Sequence, residues 1–269
     1  MYGSPTRTGE SSCIMLAYIA SAAWFGSARE GGIRMTQNWG NPDTAKQWDE
    51  QGGTWNPLRS EQLDILVSIL ADGYQPGNWI LDLGYGSGKV EKLIFDKVAQ
   101  ASVVGVDNSQ AMMQLAAKRL ADYPNTFESV QHDLGDIQTL KLPKHPYQFA
   151  IAIQSLHHLS KAQMQSVYQY TFNVLEPGGI FLLLDRLQVE TQGLYKVFQT
   201  VWQRQDKLHG SEVAAHEGDS FAAHREIVLN RGDYPVLVDE HLAWLRQVGF
   251  ETACIHLHGN RGLFAAVKP

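Results

Sequence analysis

Three glycines at every second position, Gly84, Gly86 and Gly88, follow an apolar run that holds one acid, Asp82. Glycines this dense let backbone N–H groups approach a ligand closely, although a tight strand-to-helix turn has the same composition. The dinucleotide fingerprint G-x-G-x-x-G needs a glycine at position 89, where Lys89 stands. The spacing is therefore G-x-G-x-G, which suits a ligand with no pyrophosphate to rest on the helix that follows. Farther along, "LHHL" brings His157 and His158 to the end of an apolar run. They read either as a catalytic base or substrate contact, or as packed residues at a helix entry. Asp185 and Arg186 close the next apolar run, as substrate candidates or as an ion pair. A polar stretch then carries His209, His216, His224 and Arg225 near Glu217 and Asp219. That spacing matches no familiar metal site, so no metal is expected, and the stretch reads as a polar cap over substrate with His216 as a substrate candidate.

The elements that position these residues alternate. Residues 79–83 predict a strand and 88–99 a helix, then 102–107 a strand and 109–123 a helix with Ser109 as its N-cap. Strands are expected at 126–133, 147–154 and 179–185, the last two as nearly continuous apolar runs of the kind covered on both faces in parallel sheets. The helix between those two is expected to run until Pro177 and Gly178 stop it. An amphipathic helix precedes them at 57–70, and 190–231 is read as a mostly helical insertion. A helix, "VDEHLAWLRQVGF", and a hairpin around Gly259–Asn260 close the chain. Strands and helices in this order predict a doubly wound, mostly parallel seven-stranded α/β sheet with an antiparallel last strand.

"ILDLGYGSG" resembles the first motif of the class I S-adenosylmethionine-dependent methyltransferases, and the likeness continues in order through "VVGVDNS", "VQHDL", "FAIAIQSLHHL" and "VLEPGGIFLLLD". It is strong over about 78–185 and weaker over 238–269. The resemblance implies S-adenosylmethionine as cofactor. Its methionine half would lie over Asp82, Gly84, Tyr85, Gly86 and Gly88, and its ribose against Asp107 beside Asn108. Its adenine would lie against Asp133 and Leu134. Gln154 and Ser155 leave the fourth strand where the family's donor and acceptor sites meet. The implied activity is methyl transfer to a small-molecule acceptor. The cap, with an arginine about 25 residues before "GF", is also similar to carboxy-S-adenosylmethionine synthases, in which the arginine at the place of Arg225 contacts the extra carboxylate. An enzyme that modifies the cofactor, or a non-catalytic S-adenosylmethionine-binding protein, are the alternatives. A short-chain dehydrogenase would need Tyr-x-x-x-Lys on a later helix, and here that spacing occurs only at Tyr85 and Lys89, inside the glycine loop.

The remaining composition bounds partners and place. With 269 residues, 44% of them hydrophobic and 19% charged, the chain can bury a sizeable core. A net charge of −6 with no Lys/Arg run does not suggest a nucleic-acid surface, and a local basic patch stays open. Cys13 and Cys254 are too far apart in sequence to suggest a metal or disulfide framework, and two reduced thiols are expected. Residues 1–34 hold an apolar run of about 14 residues, short of the roughly 20 that span a bilayer. They read as an upstream extension or disordered leader, with a signal or anchor and a packed helix as alternatives, and Met35 is a candidate natural start. Residues 35–75 are expected to form a helical lid in which Trp39, Trp48 and Trp55 either pack or attract the sulfonium by cation–π contact. The expected location is cytoplasmic, with no membrane partner, and a homodimer stays open.

Overall fold

The computed structural model describes residues 40–51 and 56–269. The expected leader, Cys13, Trp39 and Trp55 lie outside the described residues. The sheet is built from β1 (Trp79–Leu83), β2 (Ser102–Asp107), β3 (Thr126–Gln131), β4 (Tyr147–Ile153), β5 (Leu175–Arg186), β6 (Glu251–His258) and β7 (Arg261–Val267). Its order is β3-β2-β1-β4-β5-β7-β6. The first five strands pair in parallel, and β7 runs antiparallel to both β5 and β6. This is the expected doubly wound sheet with its reversed last strand.

Alternation along the strands sends side chains to two faces. Ile80 and Val103 join Leu66 and Leu70 of α2 (Arg59–Gly73) and Ile94 of α3 (Lys89–Lys97) in one core. Leu81, Leu83 and Val104 join Met164 and Val167 of α5 (Lys161–Val174) and Leu245 of α9 (Val238–Val248) in the other. Each such leucine or isoleucine contributes about 1.5–3 kcal/mol by leaving water. Asp82 falls between Leu81 and Leu83, so the same alternation turns it to the α3 face, where the buried Glu91 sits.

Helix boundaries follow local chemistry. Ser109 caps α4 (Gln110–Leu120) by accepting from Met112 N at 3.2 Å, as its residue type predicts. Ser160 and Gln163 form a capping box at the start of α5. The helix ends at Val174, before the proline, and β5 begins at once with Leu175 paired to Tyr147. The sequence placed both the helix end and the strand start later. A register shift near the start of β4 lets this Pro-Gly-Gly stretch lie within the strand span. The insertion folds as α6 (Gln192–His209), α7 (Val213–Glu217) and α8 (Phe221–Asn230) around Tyr195, Trp202 and Val213. Before β1, α1 (Pro42–Gln51) precedes α2. Among the described residues, no helix is long and apolar enough to cross a membrane.

Candidate functional site

The strand order reverses between β1 and β4, and ligands of open α/β sheets bind outside the carboxyl ends of the strands at that point. A cleft opens there, lined by residues from the loops after β1, β2, β3 and β4, with Trp48 of α1 and Arg59 of α2. A second, shallower concavity, lined by Leu142, His145, Tyr147 and Tyr170 among others, lies at the start of β4. That is the opposite end of the strands.

The glycine loop forms the floor of the cleft. Gly84 sits at φ +87°, and a Cβ there would come within 2.4 Å of Ser155 Cβ, so two strand exits can meet only over a bare backbone. Gly88, at φ +76°, begins α3 against Ala116 of α4, whose Cα would lie 3.0 Å from a Cβ. Lys89 points back to α1, where its Nζ donates to the Asp49 carbonyl. The Asp49 carboxylate accepts from Ser87 Oγ at 2.5 Å and from Arg119 Nη2 at 2.8 Å. The residue that broke the dinucleotide pattern therefore fastens the N-terminal helix to the loop.

Beneath the loop, Asp82 and Glu91 are buried side by side, close enough to share a proton as a hydrogen bond between the two carboxyls, and no other side chain among the described residues donates to either. Burial, then the neighbouring Glu91 charge, holds Asp82 well above the usual carboxyl range, and burial likewise raises Glu91. Two like charges in so dry a place do not both ionise. Asp107 ends β2 with both oxygens engaged: Gly86 N donates to Oδ2 at 2.9 Å and Ser109 N to Oδ1 at 2.8 Å. Burial raises it, against these hydrogen bonds, which favour the charged form. A carboxylate held this way keeps lone pairs for two adjacent hydroxyls. Asp133 accepts from Gly135 N at 2.7 Å, and Leu134 presents an apolar face beside it.

At the exit of β4, Gln154 takes φ 54°, a left-handed conformation uncommon for a non-glycine residue. Its N–H donates to Leu184 O at 2.7 Å, and its Oε1 accepts from Arg59 Nη1 at 2.8 Å. The Arg59 guanidinium also lies 5.6 Å from the Trp48 ring. No carboxylate pairs with Arg59 among the described residues, and burial lowers its pKa. The cleft thus holds an acid with no cation beside it and an unpaired cation, complementary to a ligand bearing an ammonium and a carboxylate. Arg59 had no signal in the sequence beyond its place in the first turn of an amphipathic helix.

Of the expected cofactor residues, Asp82, Gly84, Tyr85, Gly86, Asp107, Asn108, Asp133, Leu134 and Gln154 line the cleft. Gly88 does not line it and lies instead against Ala116 of α4. The Tyr85 ring packs edge-on to Phe127, with its hydroxyl 2.7 Å from Ser129 Oγ. Of the two histidines, His158 is on the wall. His157 is buried behind it, with Nδ1 2.5 Å from Asp185 Oδ1. Asp185 and Arg186 do not reach the cleft. Arg186 is buried and donates to Glu217 at 2.5 Å and Asp233 at 3.3 Å, which is the ion-pair reading rather than the substrate one. His216 and Arg225 are absent from the lining as well, and Arg225 is exposed on α8. No residue of α6, α7 or α8 lines the cleft. His224 belongs to the buried charges, 3.2 Å from Glu217.

Residues 80–179 match a family model described as a methyltransferase domain. The chain is 22% identical over 227 residues to a carboxy-S-adenosyl-L-methionine synthase of Nautilia profundicola, covering 84% of this chain and 92% of that one. It is 29% identical over 179 residues to a trans-aconitate 2-methyltransferase of Acidovorax ebreus, covering 63% of this chain and 62% of the relative. An O-methyltransferase family protein from Burkholderia thailandensis shares the fold with a TM-score of 0.63 at 13% identity, over 88% of this chain and 64% of that one.

Proposed function

From the premise that residues 80–179 are a methyltransferase domain of the class I S-adenosylmethionine-dependent family, we propose that the chain transfers a methyl group from S-adenosylmethionine to a small-molecule acceptor. The observation that carries this reading is the buried Asp82 carboxyl on the cleft, whose one side-chain partner among the described residues is another acid, Glu91, with no cation beside it. The cofactor ends in an amino acid, and its ammonium would satisfy Asp82 while its carboxylate would meet Arg59. Asp107 would take the ribose hydroxyls. Asp133 and Leu134 would flank the adenine, and the bare Gly84–Gly86 backbone would let the methionine half lie close. When bound, the sulfonium supplies a methyl group already activated for transfer. The chain's residues then have to orient the acceptor and keep water out. Asp49 and Lys89 tie α1 to the glycine loop, which supports α1 as part of a lid that carries Trp48 on the cleft wall.

Cofactor modification is the second reading, and the extent of the match to the carboxy-S-adenosyl-L-methionine synthase favours it. Against it, Arg225, the residue that would meet an extra carboxylate, is exposed and lines no part of the cleft. A cytoplasmic location belongs to the same proposal. Calorimetry with S-adenosylhomocysteine, then label transfer from methyl-labelled cofactor across a metabolite panel, tests the function. Labelled product supports it, and tight binding without turnover would leave only a binding module. A carboxylated cofactor copurifying with the protein would favour the second reading.

A further inference from the structure

A second polar cluster lies behind the wall of the cleft. His157 Nε2, His158 Nδ1 and a carboxylate oxygen of Asp233 lie within 4.8 Å of one another. Two imidazoles and one carboxylate have the composition of a divalent-metal site. The charge around them argues against one. The other oxygen of Asp233 accepts from Arg186, and His157 is already bonded to Asp185. Arg186, Arg231 and Arg261 face Glu217, and Arg186 also faces Asp233. A dication here would add charge that nothing nearby balances.

We propose instead that His158 and Asp233 form a proton-accepting dyad, and that the acceptor is one that must lose a proton to react: a phenolic or enolic hydroxyl rather than a carboxylate or a neutral amine. This rests on the methyltransferase reading above. His158 is on the cleft wall, its side chain 29% exposed, while Asp233 behind it is 4% exposed. Their contact, Nδ1 to Oδ1, is 3.2 Å. A buried carboxylate at Nδ1 keeps the proton on that nitrogen, makes Nε2 the basic atom and stabilises the imidazolium once formed. Burial would raise Asp233, but the hydrogen bond to His158 and the charges of His157 and Arg186 outweigh it and keep the carboxyl ionised. The backbone fixes the pairing as well, since Tyr234 N donates to His157 O at 2.5 Å and so sets Asp233 beside the two histidines.

The step balances. The acceptor O–H bond breaks and its proton goes to His158 Nε2. The oxygen electron pair forms the bond to the methyl carbon, and the carbon–sulfur pair stays on sulfur and cancels its charge. His158 then returns the proton to solvent. A carboxylate or neutral amine needs no such base, so a buried dyad on the wall would have nothing to do.

The tautomer tests the dyad without an acceptor. In ¹⁵N-labelled protein with S-adenosylhomocysteine, the His158 ring shifts should report Nδ1–H and a bare Nε2, and Asp233→Asn should reverse this. An Nε2–H tautomer in the wild type, or stoichiometric metal in the purified protein, overturns the proposal. The second arm offers methyl-labelled cofactor with catechols, enolic β-diketones, benzoates and primary amines as probes. Label should go to the catechols or diketones, and His158→Gln should lower kcat about 10²–10⁴-fold while cofactor Kd is retained. Label on benzoates or amines at full rate in His158→Gln sinks the dyad and leaves the methyltransferase reading standing. Failure to bind S-adenosylhomocysteine at all removes that reading instead, and the tautomer is then read on the free protein.

Discussion

Asp82→Asn should move stability and ligand affinity in opposite directions. Asp82 is 1% exposed and Glu91 0%, and among the described residues the two acids have only each other as side-chain partners, so at most one proton satisfies them. A buried polar group left without a partner costs about 1–3 kcal/mol. The asparagine amide can donate to Glu91 and carries no charge to desolvate. The free protein should gain about 1–2 kcal/mol, or about 2–8 °C in Tm. The pH dependence has a definite sign. Burial and the Glu91 charge raise Asp82 above its ordinary value of 3.8. Its contribution to stability is therefore full below that value and is lost as pH rises through the folded-state value. Wild-type stability should fall across this window, and the variant should flatten the curve. Affinity goes the other way, because removing one member of a buried charge pair costs about 2–5 kcal/mol, so the Kd for S-adenosylhomocysteine should rise from about 30-fold to several thousand-fold. Because the ligand's ammonium favours the ionised acid, wild-type binding should also release protons, visible in calorimetry as a dependence on buffer ionisation enthalpy. If stability and affinity fall together, Asp82 is a structural residue. If affinity is unchanged, the ammonium site is elsewhere.

Four more outcomes follow from the same geometry. Asp107→Ala should weaken S-adenosylhomocysteine binding by about 10- to 100-fold in calorimetry while Tm drops only modestly, since Gly86 N and Ser109 N lose one acceptor each. Arg59→Met keeps the apolar stem and removes the cation, and should raise the same Kd by about 10- to 150-fold with little change in Tm. Gly84→Ala meets Ser155 and a left-handed backbone at once, and should cost about 1–3 kcal/mol for the conformation alone. Adding Ser155→Gly should recover only the clash, as read by denaturant midpoints. Burial opposes but does not prevent the depression of Glu217 well below the carboxyl range by Arg186, His224 and Arg261. The stability it contributes is present above its ordinary value of 4.5 and lost as pH falls, so acid should loosen the insertion first, as a loss of Trp202 near-UV signal ahead of the far-UV change.

What could be read in the sequence was what depends on short-range pattern. The glycine spacing, the apolar runs and the Ser109 cap each carry their meaning within a few residues, and they placed β1 to β4 and the floor of the cleft. The end of α5 was misjudged because Pro177 and Gly178 look like a helix stop, whereas the strand begins with Leu175 through pairing to a segment 28 residues earlier. Arg59 was missed because its partner, Gln154, lies 95 residues away. The same distance problem hid Asp233. Asp185 and Arg186 were rightly placed at a strand end, but pattern alone could not say that Glu217 and Asp233 would reach them before any substrate did.

The carboxyl edge of this sheet therefore carries two kinds of buried charge. Around Arg186 each charge faces one of opposite sign among the described residues: Glu217 takes Arg186, His224 and Arg261, and Asp233 takes Arg186 and His158, although Arg186 Nε and Asp185 Oδ2 make no hydrogen bond. Such a network fixes geometry, and it joins the α6–α8 insertion to the end of β5. Around the glycine loop the charges are left wanting. Asp82 has only a like-charged neighbour, and Arg59 has an amide and an aromatic ring. Unsatisfied buried groups persist where a ligand completes them. The like-charged pair beneath the glycine loop, with no cation beside it, is what supports the proposed binding site between β1 and β4, with the Arg186 cluster as its support. Among the described residues, His158 has a place in both, on the cleft wall and paired to Asp233.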